Sequence, residues 1–275
     1  MAKAAAQTQS SADSPGAVLI TGASSGIGEA LAGCFAADGY DLILVARSTD
    51  KLQALAAQLA DEYGVKAWAE SADLAQPGAA ADLLARLKRK RRKVDVLVNN
   101  AGVLESGGFL AIAPAKHQQI IDLNISGLTA MLSVFVPTMV ARGRGRVMNL
   151  ASIAAFQPIP ALASYAASKA YVLSLTESLS EELKGTGVTV TAVCPGITAT
   201  SMLSSARASN ASLNQLPSFV IGDVQQVAAQ AYAACMKGQV ICVPGALNQA
   251  AVLASRSAPK WLVRRLGGVL GRQTL

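Results

Sequence analysis

Tyr165 and Lys169 stand four residues apart, a spacing that on a helix stacks a phenol and an ammonium on one face. A neighbouring positive charge favours phenolate, so such a tyrosine is suited to exchange a proton near neutral pH. Thirteen residues earlier Ser152 follows the apolar run Arg146 to Ala151, which reads as a strand ending where open α/β sheets bind ligands. Taken alone, a tyrosine and lysine at this spacing are common and a strand-end serine is ordinary. The chemistry rests on the set and on what surrounds it.

A second constellation lies near the N-terminus. The run Ala17 to Thr21 leads into Thr21, Gly22, Ala23, Ser24, Ser25, Gly26, Ile27 and Gly28, which open a helical stretch. Glycine suits a backbone that must turn sharply and approach a pyrophosphate without Cβ atoms in the way, while the N–H groups at the helix start face the negative charge. At the end of the next apolar run, where NAD sites place an acidic residue for the ribose 2′-hydroxyl, the chain carries Ala46 followed by Arg47. Arg47 can fork onto a 2′-phosphate, and Lys51 one helical turn later adds a point charge. These residues point to NADP(H) as the cofactor.

Positioning those groups requires a sheet. The runs Ala17 to Thr21, Asp41 to Ala46, Val65 to Ala69, Val94 to Asn99, Arg146 to Ala151, Val188 to Cys194 and Gln239 to Val243 read as seven strands, separated by stretches of helical period. In one of these, Lys51 to Glu62, Leu52, Leu55, Leu59 and Tyr63 recur at threes and fours. Alternation of this kind predicts an α/β, doubly wound (Rossmann) fold: a seven-stranded parallel sheet with helices on both faces. The 275 residues, 52% of them hydrophobic and only 4% aromatic, suffice for one large core of Ala, Val, Leu and Ile. Every long apolar stretch carries a breaker, so no membrane span is expected.

With Asn99, Asn100, Ala101 and Gly102 after the fourth strand, Asn124 in the next helix, and Pro195 with Gly196 after the sixth strand, the chain resembles the classical short-chain dehydrogenase/reductase family over residues 16 to 247. The resemblance implies an NADP(H)-dependent oxidoreductase that interconverts an alcohol and a carbonyl compound by hydride transfer, and Met202, Leu203, Leu213, Leu216 and Phe219 in the segment 198 to 221 suggest an apolar pocket, hence a ketone or aldehyde reductase. It further implies that Tyr165 exchanges the proton, that Lys169 lowers its pKa and holds the nicotinamide ribose, that Ser152 hydrogen-bonds the substrate oxygen, and that Asn124 anchors a water in a relay from Lys169. Asp73 and Leu74 would flank the adenine, Asn100 to Gly102 would line the cleft, and Ile197 with Thr198 would cover the nicotinamide. A homodimer or homotetramer is the implied assembly. An NADPH-binding scaffold or sensor with vestigial activity is the alternative, and the intact set Ser152, Tyr165 and Lys169 argues against it.

The remaining features read plainly. Residues 1 to 15 are a flexible tail without the apolar segment of a secretory signal, so a cytoplasmic protein is expected. Residues 16 to 275 form the oxidoreductase domain, in which 198 to 221 resemble a substrate lid and 250 to 275 a helical extension. That extension is basic and amphipathic from Lys260 to Arg272, which suits docking on the protein itself or a partner subunit better than a membrane surface. Cys34, Cys194, Cys235 and Cys242 lack metal-ligand spacing and are expected as reduced, mostly buried thiols. Most of the net charge of +7 comes from Lys88, Arg89, Lys90, Arg91, Arg92 and Lys93, read as a solvated helix end and not as a nucleic-acid surface. His117 is expected as a half-exposed helix residue.

Overall fold

A computed structural model describes residues 15–200, 203–204, 220–257 and 265. Seven strands, β1 (Ala17–Thr21), β2 (Asp41–Ala46), β3 (Ala67–Ser71), β4 (Val96–Asn99), β5 (Gly145–Leu150), β6 (Val188–Val193) and β7 (Ile241–Cys242), form one sheet in the order β3-β2-β1-β4-β5-β6-β7. Every neighbouring pair is parallel. The order reverses direction between β1 and β4, which opens a crevice at their carboxyl ends.

Both faces of the sheet are covered. On one lie α1 (Gly26–Ala37), α2 (Thr49–Tyr63) and α7 (Val224–Met236), whose Leu31, Phe35, Leu52, Leu59, Ala231 and Cys235 pack against Val18, Ile20, Leu42 and Leu44. On the other lie α3 (Ala79–Arg89), α5 (Leu128–Val140) and α6 (Ala163–Glu182), with Leu83, Met131, Phe135 and Val172 against Leu19, Ile43, Leu97 and Val147. Adjacent strand residues thus feed opposite cores, and burying each such Leu or Ile stabilises the fold by about 1.5–3 kcal/mol. A short α8 (Ala246–Ser257) follows β7. The helical period of α2 places Leu52, Leu55, Ala56 and Leu59 inside, but Tyr63, expected on the same face, is 39% exposed at the last turn, just before Gly64 ends the helix in the left-handed region.

Helix α4 (Pro114–Ile120) continues through a π-helical turn, Ile121–Gly127, into α5. The continuous helix Pro114–Val140 has 27 residues and is apolar enough to cross a membrane by length and composition, which corrects the expectation that every such stretch would be interrupted. Gly127 and Pro137 break the sequence pattern without breaking the helix. Here the apolar side chains Leu128, Met131, Leu132, Phe135, Val136 and Met139 are buried in the core.

Strand boundaries moved where polar side chains find partners. β3 begins two residues later than its apolar run and takes in Glu70, a carboxylate only 4% exposed. Its oxygens meet Lys90 Nζ at 2.5 Å, Arg92 Nη1 at 2.6 Å and Arg86 Nε at 3.6 Å, and the Arg92 guanidinium lies 4.2 Å from the centre of the Trp68 ring. The basic run is therefore only partly a solvated helix end: Lys88, Arg89, Arg91 and Lys93 are exposed, while Lys90 and Arg92 neutralise a buried acid. β7 shrinks to two residues beside β6, as befits a sheet edge. Cys194, Cys235 and Cys242 are buried, Cys34 is half-buried and all four are free thiols.

Removing a buried carboxylate that satisfies two or three cations costs about 1–3 kcal/mol, against about 0.5 kcal/mol or less for an exposed lysine. Glu70→Ala is expected to lower the midpoint of thermal unfolding by several degrees and Lys88→Ala to leave it unchanged, as read by calorimetry.

Candidate active site

The glycine turn is locked to β4 by side chains as well as by backbone. Thr21 Oγ1 donates to the Val98 carbonyl at 3.2 Å and accepts from the N–H groups of Asn100 and Ala101 at 2.9 and 3.0 Å. Asn100 Nδ2 in turn donates to the carbonyls of Thr21 and Gly22, at 2.9 and 3.0 Å. A Cβ on Gly28 would fall 2.4 Å from both Asn100 Nδ2 and the Gly22 carbonyl oxygen, so only glycine lets α1 start this close to the turn. Ser24 is half-buried, Ser25 exposed, and Ile27 packs onto the core under α1. Arg47 and Lys51 stand exposed past the end of β2. Asp73 caps its own turn, accepting from Ala75 N at 3.2 Å and Gln76 Nε2 at 3.3 Å, beside the buried Leu74.

Across the crevice, α6 presents Tyr165 and Lys169 on the face turned to the sheet, both buried. Lys169 Nζ donates to the Leu150 carbonyl at the end of β5, at 2.7 Å, and lies 5.7 Å from the centre of the Tyr165 ring. Seven residues further on the same face, Thr176 Oγ1 accepts from Asn149 Nδ2 at 2.9 Å, and Asn149 Oδ1 accepts from Asn99 Nδ2 at 2.9 Å. This buried polar chain keys α6 to β5 and β4. Ser152 follows β5 in extended conformation, and its hydroxyl accepts from Ala154 N at 3.1 Å within the 3-10 turn Ile153–Phe156. Its contact with the Pro195 carbonyl, at 3.5 Å, is weak. Ile153 N donates to the same carbonyl at 3.0 Å, which ties the loop after β5 to Pro195 and Gly196 after β6.

Asn124 sits in the π-helical turn with its amide fully engaged. Oδ1 accepts from Val103 N at 2.9 Å, and Nδ2 donates to the Val103 carbonyl at 2.9 Å and to Ser168 Oγ at 3.1 Å. Ser168 passes its own hydrogen to the Tyr165 carbonyl at 2.7 Å. A Cβ on Gly102 would lie 3.3 Å from Asn124 Oδ1 and 3.5 Å from Lys169 Nζ, so the crevice narrows to main chain there. Thr198 bonds back to the Gly196 carbonyl at 3.0 Å and bridges to Gly222, while Gly222 N donates to the Ile197 carbonyl at 2.7 Å. The two ends of the expected lid are thus joined, and its residues 201–202 and 205–219 lie outside the described residues, as do 258–264 and 266–275 of the C-terminal extension.

Burial and charge compete at the pair. Desolvation pushes the Tyr165 phenol up to about 12, a hydrogen bond from Ser152 pulling the other way, and desolvation brings Lys169 down to about 8. Burial thus favours the protonated phenol in the resting protein, while Lys169 gives its hydrogen bond to the Leu150 carbonyl. These directions favour a neutral phenol beside a charged lysine near neutral pH.

The arrangement has relatives. Residues 16–211 match the short chain dehydrogenase family. The chain belongs to that family. It is 39% identical over 194 residues to the oxidoreductase UcpA of Escherichia coli K12, covering 70% of this chain and 73% of that protein. To the 3-oxoacyl-[acyl-carrier-protein] reductase of Synechocystis it is 33% identical over 237 residues, 83% of this chain and 95% of the other. Among solved structures, the short-chain dehydrogenase from Sphingobium yanoikuyae in complex with NADPH superposes with a TM-score of 0.77 at 36% identity, covering 88% of this chain and 93% of that one.

Within this short chain dehydrogenase, the structure joins Thr21 and Asn100 at the glycine turn, brings Gly102 beside Asn124 and Lys169, and ties the loop after Ser152 to Pro195, while Ile27 packs into the core and Arg47 and Lys51 stand exposed past β2. Sequence reading missed Val103, the partner of Asn124, and Leu104 and Ile159, which pack against Tyr165. It also missed Ser168 and Thr176, whose signal was present: both share the helical face that carries Tyr165 and Lys169.

Two titrations check the electrostatics. A difference ultraviolet titration of the wild type against Tyr165→Phe is expected to show no phenolate from Tyr165 below about pH 11. For Lys169, the folded protein releases a proton near pH 8 and the unfolded chain near its ordinary 10.5. Between these values the unfolded state binds more protons, so stability rises with pH. The unfolding free energy of wild type relative to Lys169→Met is therefore expected to increase from pH 8 to 10.5 in denaturant titrations.

Proposed function

We propose that this short chain dehydrogenase is an NADP(H)-dependent carbonyl reductase acting on ketones or aldehydes, or on the corresponding alcohols, in an apolar pocket. The observation that carries the reading is that a buried phenol, a buried ammonium and a serine hydroxyl converge at the carboxyl edge of the sheet, which also carries the glycine turn after β1. The dinucleotide fits the residues present. The turn from Thr21 to Gly28, with Ser24, Ser25, Gly26 and Ile27, would face its phosphates; Arg47 and Lys51 would meet the 2′-phosphate; Asp73 and Leu74 would flank adenine. Asn100, Ala101 and Gly102 would border the ribose, and Pro195, Gly196, Ile197 and Thr198 the nicotinamide. Bound there, NADPH supplies a hydride to the carbonyl carbon.

The protein's own groups handle the oxygen. Ser152, whose hydroxyl is hydrogen-bonded to Tyr165 and only weakly to the Pro195 carbonyl, would turn its hydrogen to the substrate oxygen as negative charge builds there. Tyr165 keeps its proton at neutral pH and gives it to that oxygen, a favourable transfer because an alkoxide is far more basic than a phenolate. Lys169 then stabilises the phenolate left behind and holds the ribose. Asn124 shapes the relay that recharges Tyr165, but since its amide is used up by Val103 and Ser168, the water of that relay would be held by main chain and not by the amide side chain. A homodimer or homotetramer is consistent with Ile121 and Tyr171, exposed at 41% and 37% on neighbouring helices.

The test is an NADPH-oxidation screen over aliphatic ketones, aryl ketones, aldehydes and a β-keto ester. Turnover of at least one class is expected, with Tyr165→Phe lowering kcat by about 10²–10⁴-fold while NADPH still binds by fluorescence titration. No turnover across the panel, or full activity in Tyr165→Phe, would falsify the reading and favour a cofactor-binding scaffold. Loss of a charge-assisted contact is worth about tenfold in affinity, so Arg47→Asp should weaken NADPH by that factor and narrow or reverse the preference over NADH. Unchanged selectivity would remove Arg47 as the 2′-phosphate group.

A further inference from the structure

His117, the one histidine of the chain, sits half-buried in α4 and joins three segments. Its Nε2 lies 3.0 Å from the Phe109 carbonyl and its Nδ1 2.8 Å from Ser164 Oγ. A carbonyl only accepts, so Nε2 carries the hydrogen, and Nδ1 of the neutral ring accepts from the Ser164 hydroxyl. The Phe109 ring stacks on the imidazole with centroids 4.4 Å apart. Ser164 immediately precedes Tyr165 in the first turn of α6.

The loop so held begins beside the reacting groups. Val103 is bonded to Asn124, and Leu104 packs with Ile159 against Tyr165, Ala154 and Ala166. Further on, Gly107 N donates to the Ala161 carbonyl at 2.9 Å, and Lys116 Nζ meets Glu105 Oε1 at 2.8 Å in a pair exposed enough to contribute little. Phe109 and Leu110 are 58% and 98% exposed, so the outer half of the loop has scant buried apolar surface to keep it in place.

We propose that His117 is a positioning residue: it holds the loop from Leu104 to Ala113 against the first turn of α6, and so fixes the apolar wall of Leu104 and Ile159 that a carbonyl substrate meets beside Tyr165. The inference rests on the reductase reading above. His117 touches no reacting atom. Its loss loosens the wall and spares the cofactor crevice, which is built from the glycine turn, β4 and Arg47 on the other side of the site.

The experiment compares wild type with His117→Ala, His117→Gln and His117→Asn, using the best aryl ketone of the panel and acetone as the small control. One lost hydrogen bond between tethered segments corresponds to about tenfold in binding. His117→Ala is expected to raise KM for the aryl ketone by that factor, with kcat changed less than about twofold, a smaller change for acetone and an unaltered NADPH Kd. Glutamine can place an N–H where Nε2 stood and reach Phe109, whereas asparagine reaches only toward Ser164; glutamine should therefore recover most of the KM and asparagine should not. Hydrogen exchange of the amides of 104–113 should accelerate in His117→Ala while those of β1, β4 and β5 do not. An unchanged aryl-ketone KM in an active His117→Ala protein overturns the inference alone, and so does a parallel loss of NADPH affinity and thermal stability in the alanine and glutamine variants. Absence of wild-type turnover overturns the reductase reading and this inference with it.

Discussion

The site depends on an ammonium held out of water with no carboxylate paired to it among the described residues. Lys169 is buried and gives its hydrogen bond to one carbonyl, that of Leu150, the last residue of β5. A charge so placed is expensive, and its depressed pKa reports the expense. It can persist only if the helix carrying it cannot slide. The chain Thr176–Asn149–Asn99, two turns below on the same helical face and reaching across two strands, supplies that constraint. Apolar packing would tolerate small shifts of α6 along the sheet; a buried amide ladder with fixed partners does not.

The same logic explains the opposite side of the crevice. Thr21 and Asn100 convert the junction of β1 and β4, where the sheet reverses its order, from a gap between two loops into a bonded frame. Gly28 lets the helix start touch that frame. What results is two rigid walls, one made of the glycine turn and the end of β4, the other of α6 and the turn after β5. Each wall is tied down by polar side chains, Thr21 and Asn100 on one side and Asn149 and Thr176 on the other.

Much of this was legible in the sequence, for identifiable reasons. A parallel sheet covered on both faces writes its strands as apolar runs, and the helices between them keep their period, so order and direction follow from pattern. Boundaries failed where tertiary partners decide them: β3 runs past its apolar run through Glu70 to Ser71, and Arg86, Lys90 and Arg92 from the end of α3 neutralise that carboxylate. The π-helical turn at Ile121–Gly127 left no trace, since one extra residue in a helical turn changes no residue type. Tyr165 and Lys169 could be picked out by spacing, Ser152 by its place at a strand end and Asn124 by the family resemblance, but not the tying of the Asn124 amide to Val103, a contact across 21 residues of loop and helix. His117 was read as ordinary because a lone histidine carries no pattern; its meaning lies in Phe109 and Ser164, which only the fold brings to it.

The least legible quantity was the protonation of the pair, because it is a difference between two large opposing effects. Proximity of an ammonium argues for phenolate, burial argues for phenol, and the sequence reveals only the first. In the folded protein burial pushes the phenol up to about 12 and the lysine down to about 8, which favours neutral phenol beside charged lysine. On the proposed reading this is the useful state. A phenol already ionised would have nothing to give to a carbonyl oxygen, whereas a neutral phenol beside a fixed charge becomes an ion pair at the moment its proton leaves. The lysine's charge then counts most where negative charge is forming and least in the resting site, which is the condition for an interaction to accelerate a reaction and not merely tighten binding.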